Sequence, residues 1–292
     1  MRVAVIDVGS NTVRLLVAAP SERGLEVVTS DRVTLGLGAS IERSGTIPPE
    51  KLAEAETCAR RLARRARESG ADLVEVLVTS PGRQASNGEA LVAAVARAAD
   101  AAARQLSGED EGRLAYEGAL AAEGPDGSRV AVCDVGGGST QLAIGSGAEP
   151  DWVKTFDVGS LRLTKRSLDG GRTGRKALAA AGAVVAEAFA EAAPPAVDAG
   201  LAVGGSARAL RRLEGRTLDE ESLASAIKEL TRRTPAETAK RFGVDKARAE
   251  TLLAGALILS EVQRRLAVPL RVARGGLREG AALRLLRYAL AA

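Results

Sequence analysis

Two loops of one design constrain this chain more than anything else in it. Asp7-Val8-Gly9-Ser10-Asn11-Thr12 and Asp134-Val135-Gly136-Gly137-Gly138-Ser139-Thr140 each follow an apolar run, Val3 to Ile6 and Val130 to Cys133. In both, a carboxylate stands where a buried strand ends, and the residues after it are small enough for backbone N–H groups to approach an anion. A second apolar run follows each loop, Val13 to Ala19 and Gln141 to Ile144, giving a strand, a phosphate-sized turn and a strand. The repetition predicts two related α/β half-domains gripping a polyphosphate and its metal ion between them.

A length of 292 residues suits two domains of ordinary size, and 46% hydrophobic with 27% charged residues is a globular composition. With aromatics at only 2%, the core must be built from Val, Leu, Ile and Ala. The net charge of +4 is a mild excess spread over the chain, and the arginines around Arg60 to Arg67 fall on the solvated side of a helix. No aromatic residues interleave with the basic ones, which argues against a single-stranded nucleic-acid platform. Cys58 and Cys133 form neither a disulfide framework nor a metal motif, so a reducing compartment is expected. The first residues enter a strand at once, so no signal peptide is expected. The apolar stretch around Leu252 to Ser260 falls far short of the roughly 20 residues of a membrane helix. The expectation is a cytoplasmic protein with no membrane partner. Histidine is absent altogether. That excludes Ser-His-Asp triads, His-metal clusters and phosphohistidine chemistry, and turns attention to carboxylates near the phosphate loops.

Strands are predicted at 3–8, 13–19, 25–29, 32–36 and 73–79, with a helix from Pro49 to about Ser69. Asn87 is expected to cap a helix through Ala102, and another helix should run from Glu109 to Ala122. This first half reads as hairpins plus one crossover strand. The second half repeats the opening with strands at 129–134, 141–145 and 151–157. A helix at 175–192, a strand at 200–203, helices near 218–232, 235–241 and 245–266, a strand at 270–273 and a last helix complete it. The domain boundary is placed near residue 120, giving 1–120 and 121–292.

Phosphate oxygens need several convergent donors. Gly136, Gly137, Gly138, Ser139 and Thr140 can aim consecutive N–H groups and two hydroxyls at one anion, and Ser10, Asn11 and Thr12 can do the same. Asp134, and Asp7 at the matching position, are the candidate ligands of Mg²⁺, which binds through one or two carboxylates plus substrate phosphate.

The loops occur together with TSPGRQASN at 79–87, SGEDEGRLAY at 107–116, VGSLRLT at 158–164, AVGGSARAL at 202–210 and GLREG at 276–280. With these segments in order, the chain resembles the exopolyphosphatase and guanosine pentaphosphate phosphohydrolase (Ppx/GppA) family, in its short two-domain bacterial form. The resemblance implies two duplicated actin-like (ribonuclease H-like) ATPase domains with an interdomain cleft. By motif, Glu111 matches the catalytic carboxylate that orients or deprotonates the attacking water, and Asp134 matches the metal-linked acid. Gly136 and Gly137 match phosphate-contacting glycines, Gly204 and Gly205 join the phosphate-binding set, and Arg14 and Arg83 resemble phosphate-facing arginines. The family commonly carries Glu after GGGST, where this chain has Gln141. Losing that charge is expected to weaken metal binding or slow water activation, since Gln cannot serve as a base.

The function implied is Mg²⁺-dependent hydrolysis of the terminal phosphoanhydride of inorganic polyphosphate. Guanosine pentaphosphate hydrolysis and a degenerate nucleotide or polyphosphate sensor are the alternatives. A phosphotransferase is a third class, opposed by the Glu111 segment and GLREG. A homodimer is the default oligomeric expectation.

Overall fold

A computed structural model of the chain describes residues 1–22, 24–124, 127–168 and 171–291. Two compact units are present: Met1–Gly124 with Gly275–Ala292, and Pro125–Arg274.

The first unit opens with β1 (Val3–Val8), β2 (Thr12–Ser21) and β3 (Gly24–Thr34), an antiparallel meander. Next come α1 (Leu37–Ser44), α2 (Pro49–Glu68), β4 (Leu73–Val78), α3 (Ser80–Gln84), α4 (Gly88–Ala99), β5 (Ala102–Gln105) and α5 (Gly108–Glu123). The sheet order is β3-β2-β1-β4-β5, with β4 parallel to β1 and β5 parallel to β4. Because β1 lies at the centre and is covered on both faces, it reads as a nearly continuous apolar run. The two-residue period sends Ala4, Ile6 and Leu15 into one core with Leu62 and Leu91, and Val3, Val5 and Leu16 into another with Leu114 and Ala281.

In the second unit β6 (Val130–Val135), β7 (Thr140–Gly145) and β8 (Trp152–Phe156) form another antiparallel meander. Then follow α6 (Ser160–Leu163), a π-helical turn at Thr164–Leu168, α7 (Arg175–Ala188), β9 (Ala199–Val203), α8 (Gly204–Glu214) and β10 (Thr217–Leu218). The unit ends with α9 (Glu220–Thr231), α10 (Pro235–Phe242), α11 (Lys246–Leu266) and β11 (Leu270–Val272). Read from its meander edge, the sheet is β8-β7-β6-β9-β11-β10, with β9 parallel to β6 and β11 parallel to β9. This repeats the order of the first sheet, with β10 added antiparallel at the far edge. The duplication suggested by the two loops is therefore a duplication of sheet topology. The α/β class and the two related domains agree with the sequence reading.

Several boundaries differ from expectation. The strands expected at 25–29 and 32–36 are one strand, β3, with a bulge opposite Val17 and Ala18. Helix α4 stops at Ala99 because Asp100 turns left-handed at φ 48°, and a second parallel strand, β5, follows. Asn87 precedes α4 but makes no capping bond to it. Its amide instead accepts from Ile47 N and donates to Ile47 O, at 2.9 and 2.8 Å. Helix α7 ends at Ala188, short of residue 192.

The larger difference is α12 (Leu277–Ala291), which packs on α5 in the first unit, whereas the sequence reading kept 121–292 together. The two helices touch backbone to backbone: a Cβ on Gly118 would sit 2.0 Å from the Gly276 carbonyl oxygen, so no larger residue fits there. Arg284 on α12 also donates through Nε to both carboxylate oxygens of Glu117, which is 5% exposed. Among the described residues, no helix is long and apolar enough to cross a membrane.

Candidate active site

In the first unit the expected site residues gather at one end of the sheet. Asp7 lies one residue before the end of β1 and pairs across the ladder with Arg14 on β2. The turn between them is closed by Gly9 N donating to Thr12 O at 3.0 Å. Parallel pairing of Val8 with Val78 brings the end of β4 alongside, and the Thr79 N–H and hydroxyl both donate to Val8 O. Ser80, the first residue of α3, then meets Ser10: their hydroxyl oxygens are 2.7 Å apart and both residues are buried. Arg14 donates through Nε to the Thr12 hydroxyl at 3.2 Å. The Asn11 carbonyl accepts from Leu35 N and Gly36 N, so its backbone anchors the chain entering α1.

Glu111 sits in the first turn of α5, only 6% exposed. Ser107 caps that helix, its hydroxyl accepting from Asp110 N at 3.0 Å and its carbonyl from Glu111 N at 3.1 Å. Arg83, on α3, is ion-paired with Glu111 and also donates to the Leu106 carbonyl at 2.7 Å. A continuous path thus runs from the first loop through Ser10, Ser80 and α3 to Arg83 and Glu111.

In the second unit Asp134 occupies the position on β6 that Asp7 occupies on β1, flanked by Gln141 on β7 and Val203 on β9. The following loop is tied down from several sides. Gly136 N donates to Ser139 O at 3.0 Å, Ser160 N and hydroxyl donate to Gly136 O, and Leu161 N and Arg162 N donate to Gly137 O. The hydroxyl of Thr140 is fully buried and donates to Val158 O at 2.7 Å. Ser139 accepts from the Gln141 side-chain amide at 3.0 Å, and Gln141 is 2% exposed. Gly204 follows β9 at φ 87°, and a Cβ there would lie 2.5 Å from Asp134 Oδ1. The carboxylate therefore rests against a residue that must be glycine. Gly205 follows in the first turn of α8.

Sequence reasoning did not single out Ser80, Ser107 or Ser160, although each stands in a quoted segment. What marks them is a tertiary bond or a cap, and Ser107-x-x-Asp110 was the one local signal available. Among the described residues, no three His, Cys, Asp or Glu side chains converge into a metal cage. A donor set of one carboxylate at a strand end suits a hard cation that retains waters and takes its other ligands from phosphate.

The Ppx/GppA phosphatase family model matches residues 16–289. Exopolyphosphatase 1 of Mycobacterium tuberculosis (strain ATCC 25618 / H37Rv) is 31% identical over 302 aligned positions, covering 97% of this chain and 88% of that protein. The crystal structure of the Aquifex aeolicus member of the Ppx/GppA family is 25% identical, with a TM-score of 0.84 over 99% of this chain and 98% of that one. An exopolyphosphatase from Cytophaga hutchinsonii shares the fold at 20% identity, with a TM-score of 0.88 over 99% of this chain and 98% of that one. With a family match spanning nearly all of a chain whose two sheets repeat one topology, the chain belongs to the Ppx/GppA phosphatase family.

Proposed function

We propose that this protein is an exopolyphosphatase that hydrolyses the terminal phosphoanhydride of inorganic polyphosphate, with Mg²⁺ as cofactor. The observation that carries the reading is Glu111, a buried, ion-paired carboxylate at a capped helix start, joined through α3 to the first phosphate loop. The similarity to an exopolyphosphatase over almost the whole chain supports the substrate class.

In this mechanism Ser10, Asn11, Thr12 and Arg14 are the phosphate-binding residues of the first unit, and Gly136 to Ser139 with Gly204 and Gly205 are those of the second. Thr140 supports its loop through Val158 rather than presenting its hydroxyl to an anion. Glu111 orients a water in line with the terminal phosphorus and receives its proton. The water oxygen forms a bond to phosphorus, the bond to the bridging oxygen breaks, and the shortened chain leaves with that electron pair. Asp134 of the second unit, like Asp7 at the matching position of the first, is a carboxylate that would hold Mg²⁺, which neutralises phosphate charge when bound. Both cysteines are buried thiols, which supports a reducing, cytoplasmic setting.

The test is phosphate release from long-chain polyphosphate, tripolyphosphate and guanosine pentaphosphate, with and without Mg²⁺. Metal-dependent release fastest from polyphosphate supports the proposal. Release from guanosine pentaphosphate alone replaces the substrate, and binding without release makes the protein a sensor.

A further inference from the structure

We propose that Arg83 is a positioning residue that holds the Glu111 carboxylate for reaction, rather than a ligand of the substrate phosphate. The inference rests on the reading of Glu111 as the catalytic carboxylate. The resemblance to the family makes Arg83 a phosphate-facing arginine. The side chain is committed otherwise. One guanidinium nitrogen, Nη1, donates both to the Leu106 carbonyl and to Glu111 Oε1. The Arg83 side chain is 21% exposed and that of Glu111 only 7%.

Both anchors of this arginine are rigid. Leu106 is fully buried, and its N–H donates to Val78 O at 2.9 Å, fixing it to the end of β4. Helix α3 is pressed against the end of β5, since a Cβ on Gly82 would lie 2.8 Å from Gln105 Oε1. A nitrogen shared between a fixed carbonyl and a carboxylate restricts where that carboxylate can point. A carboxylate that must aim a water needs such support, because reacting groups have to be held within about 0.5 Å of the productive geometry.

The two roles separate in kinetics. Arg83→Met and Arg83→Lys are assayed for phosphate release from polyphosphate with Mg²⁺, and for tripolyphosphate binding by calorimetry. A carboxylate displaced by about 1 Å loses on the order of 100-fold in rate, so kcat should fall that far in Arg83→Met while KM stays within about twofold. Guanidinium ion should restore part of the kcat of Arg83→Ala and none in an Arg83→Ala, Glu111→Gln double variant. A KM raised tenfold or more with kcat retained would show a phosphate ligand and overturn the proposal. Lost thermal stability with unchanged kcat would show a merely structural pair and overturn it equally. If Arg83→Met does not fold, Arg83→Lys keeps the charge and gives the same split. Tripolyphosphate binding decides the ligand question apart from turnover: a Kd weakened tenfold in Arg83→Lys refutes the positioning role even if the wild type releases no phosphate. Absence of wild-type release would refute the hydrolase reading alone.

Discussion

Replacing Gly204 with alanine tests whether the placement of Asp134 matters to the reaction. The new Cβ would sit 2.5 Å from Asp134 Oδ1, whereas ordinary contact begins near 3.4 Å. The carboxylate must therefore retreat by roughly 1 Å, a displacement that costs on the order of 100-fold in rate when the group orients reacting atoms. The backbone at φ 87° adds strain of about 1–3 kcal/mol, to be read as lost stability. Gly215→Ala separates the two effects. That residue lies at φ 92° at the end of α8 with nothing near its Cβ position, so it carries the strain without the clash. Urea unfolding and phosphate release from polyphosphate are measured for both variants. Both should lose stability by a similar amount, and only Gly204→Ala should lose about 100-fold in kcat/KM at saturating Mg²⁺. Equal activity in the two variants would refute the claim that the Asp134 carboxylate is positioned by contact with Gly204.

Gln141→Glu removes the donor to Ser139 and sets a buried carboxylate beside the half-buried Asp134. It should lower the Mg²⁺ concentration for half-maximal activity and lower the melting temperature in metal-free buffer, with Mg²⁺ restoring the latter; no change in either would show that position 141 is uncoupled from the metal. Ser107→Ala removes one cap bond of α5, so urea unfolding should register a loss of about 1 kcal/mol while phosphate release stays within about threefold. Burial pushes the Cys58 thiol from 9.0 up to about 11, with Arg61 partly opposing the shift. A raised thiol pKa leaves its stability contribution intact below pH 9 and removes it as the pH climbs toward 11. Maleimide at pH 8 should therefore leave the native protein unlabelled and label both cysteines in guanidinium, whereas fast native labelling would contradict the burial.

The parts of the fold legible in the sequence were those written locally. Apolar runs broken by a single Asp gave β1 and β6, and small residues after them gave the loops. Helix α2 announced itself through Pro48-Pro49 and its apolar period. What escaped is short or non-local. Helix α1 is bounded by Gly36 and Gly45, both left-handed, and is too brief to establish a period. Strand β5, Ala102 to Gln105, is mostly exposed and built of helix-forming residues, so the reading ran the helix to Ala102 and assigned no strand after it. Docking of α12 on α5 depends on Gly118, Gly276 and Gly280 meeting in space, and on a Glu117–Arg284 pair 167 residues apart. The candidate site divides the same way. Asp134, Glu111 and the glycines stand in recognisable strings, but the commitment of Arg83 to Glu111, of Thr140 to Val158 and of Gln141 to Ser139 is tertiary.

The account turns on Glu111, and one comparison tests it most directly. Wild type and Glu111→Gln are followed for orthophosphate release from long-chain polyphosphate with Mg²⁺, with polyphosphate binding measured on the same samples. Gln keeps the size and cannot take a proton. The expected result is release reduced by about 100-fold or more with affinity unchanged within about twofold, the scale on which a positioned acid or base acts. Release at the wild-type rate from Glu111→Gln would contradict the mechanism outright.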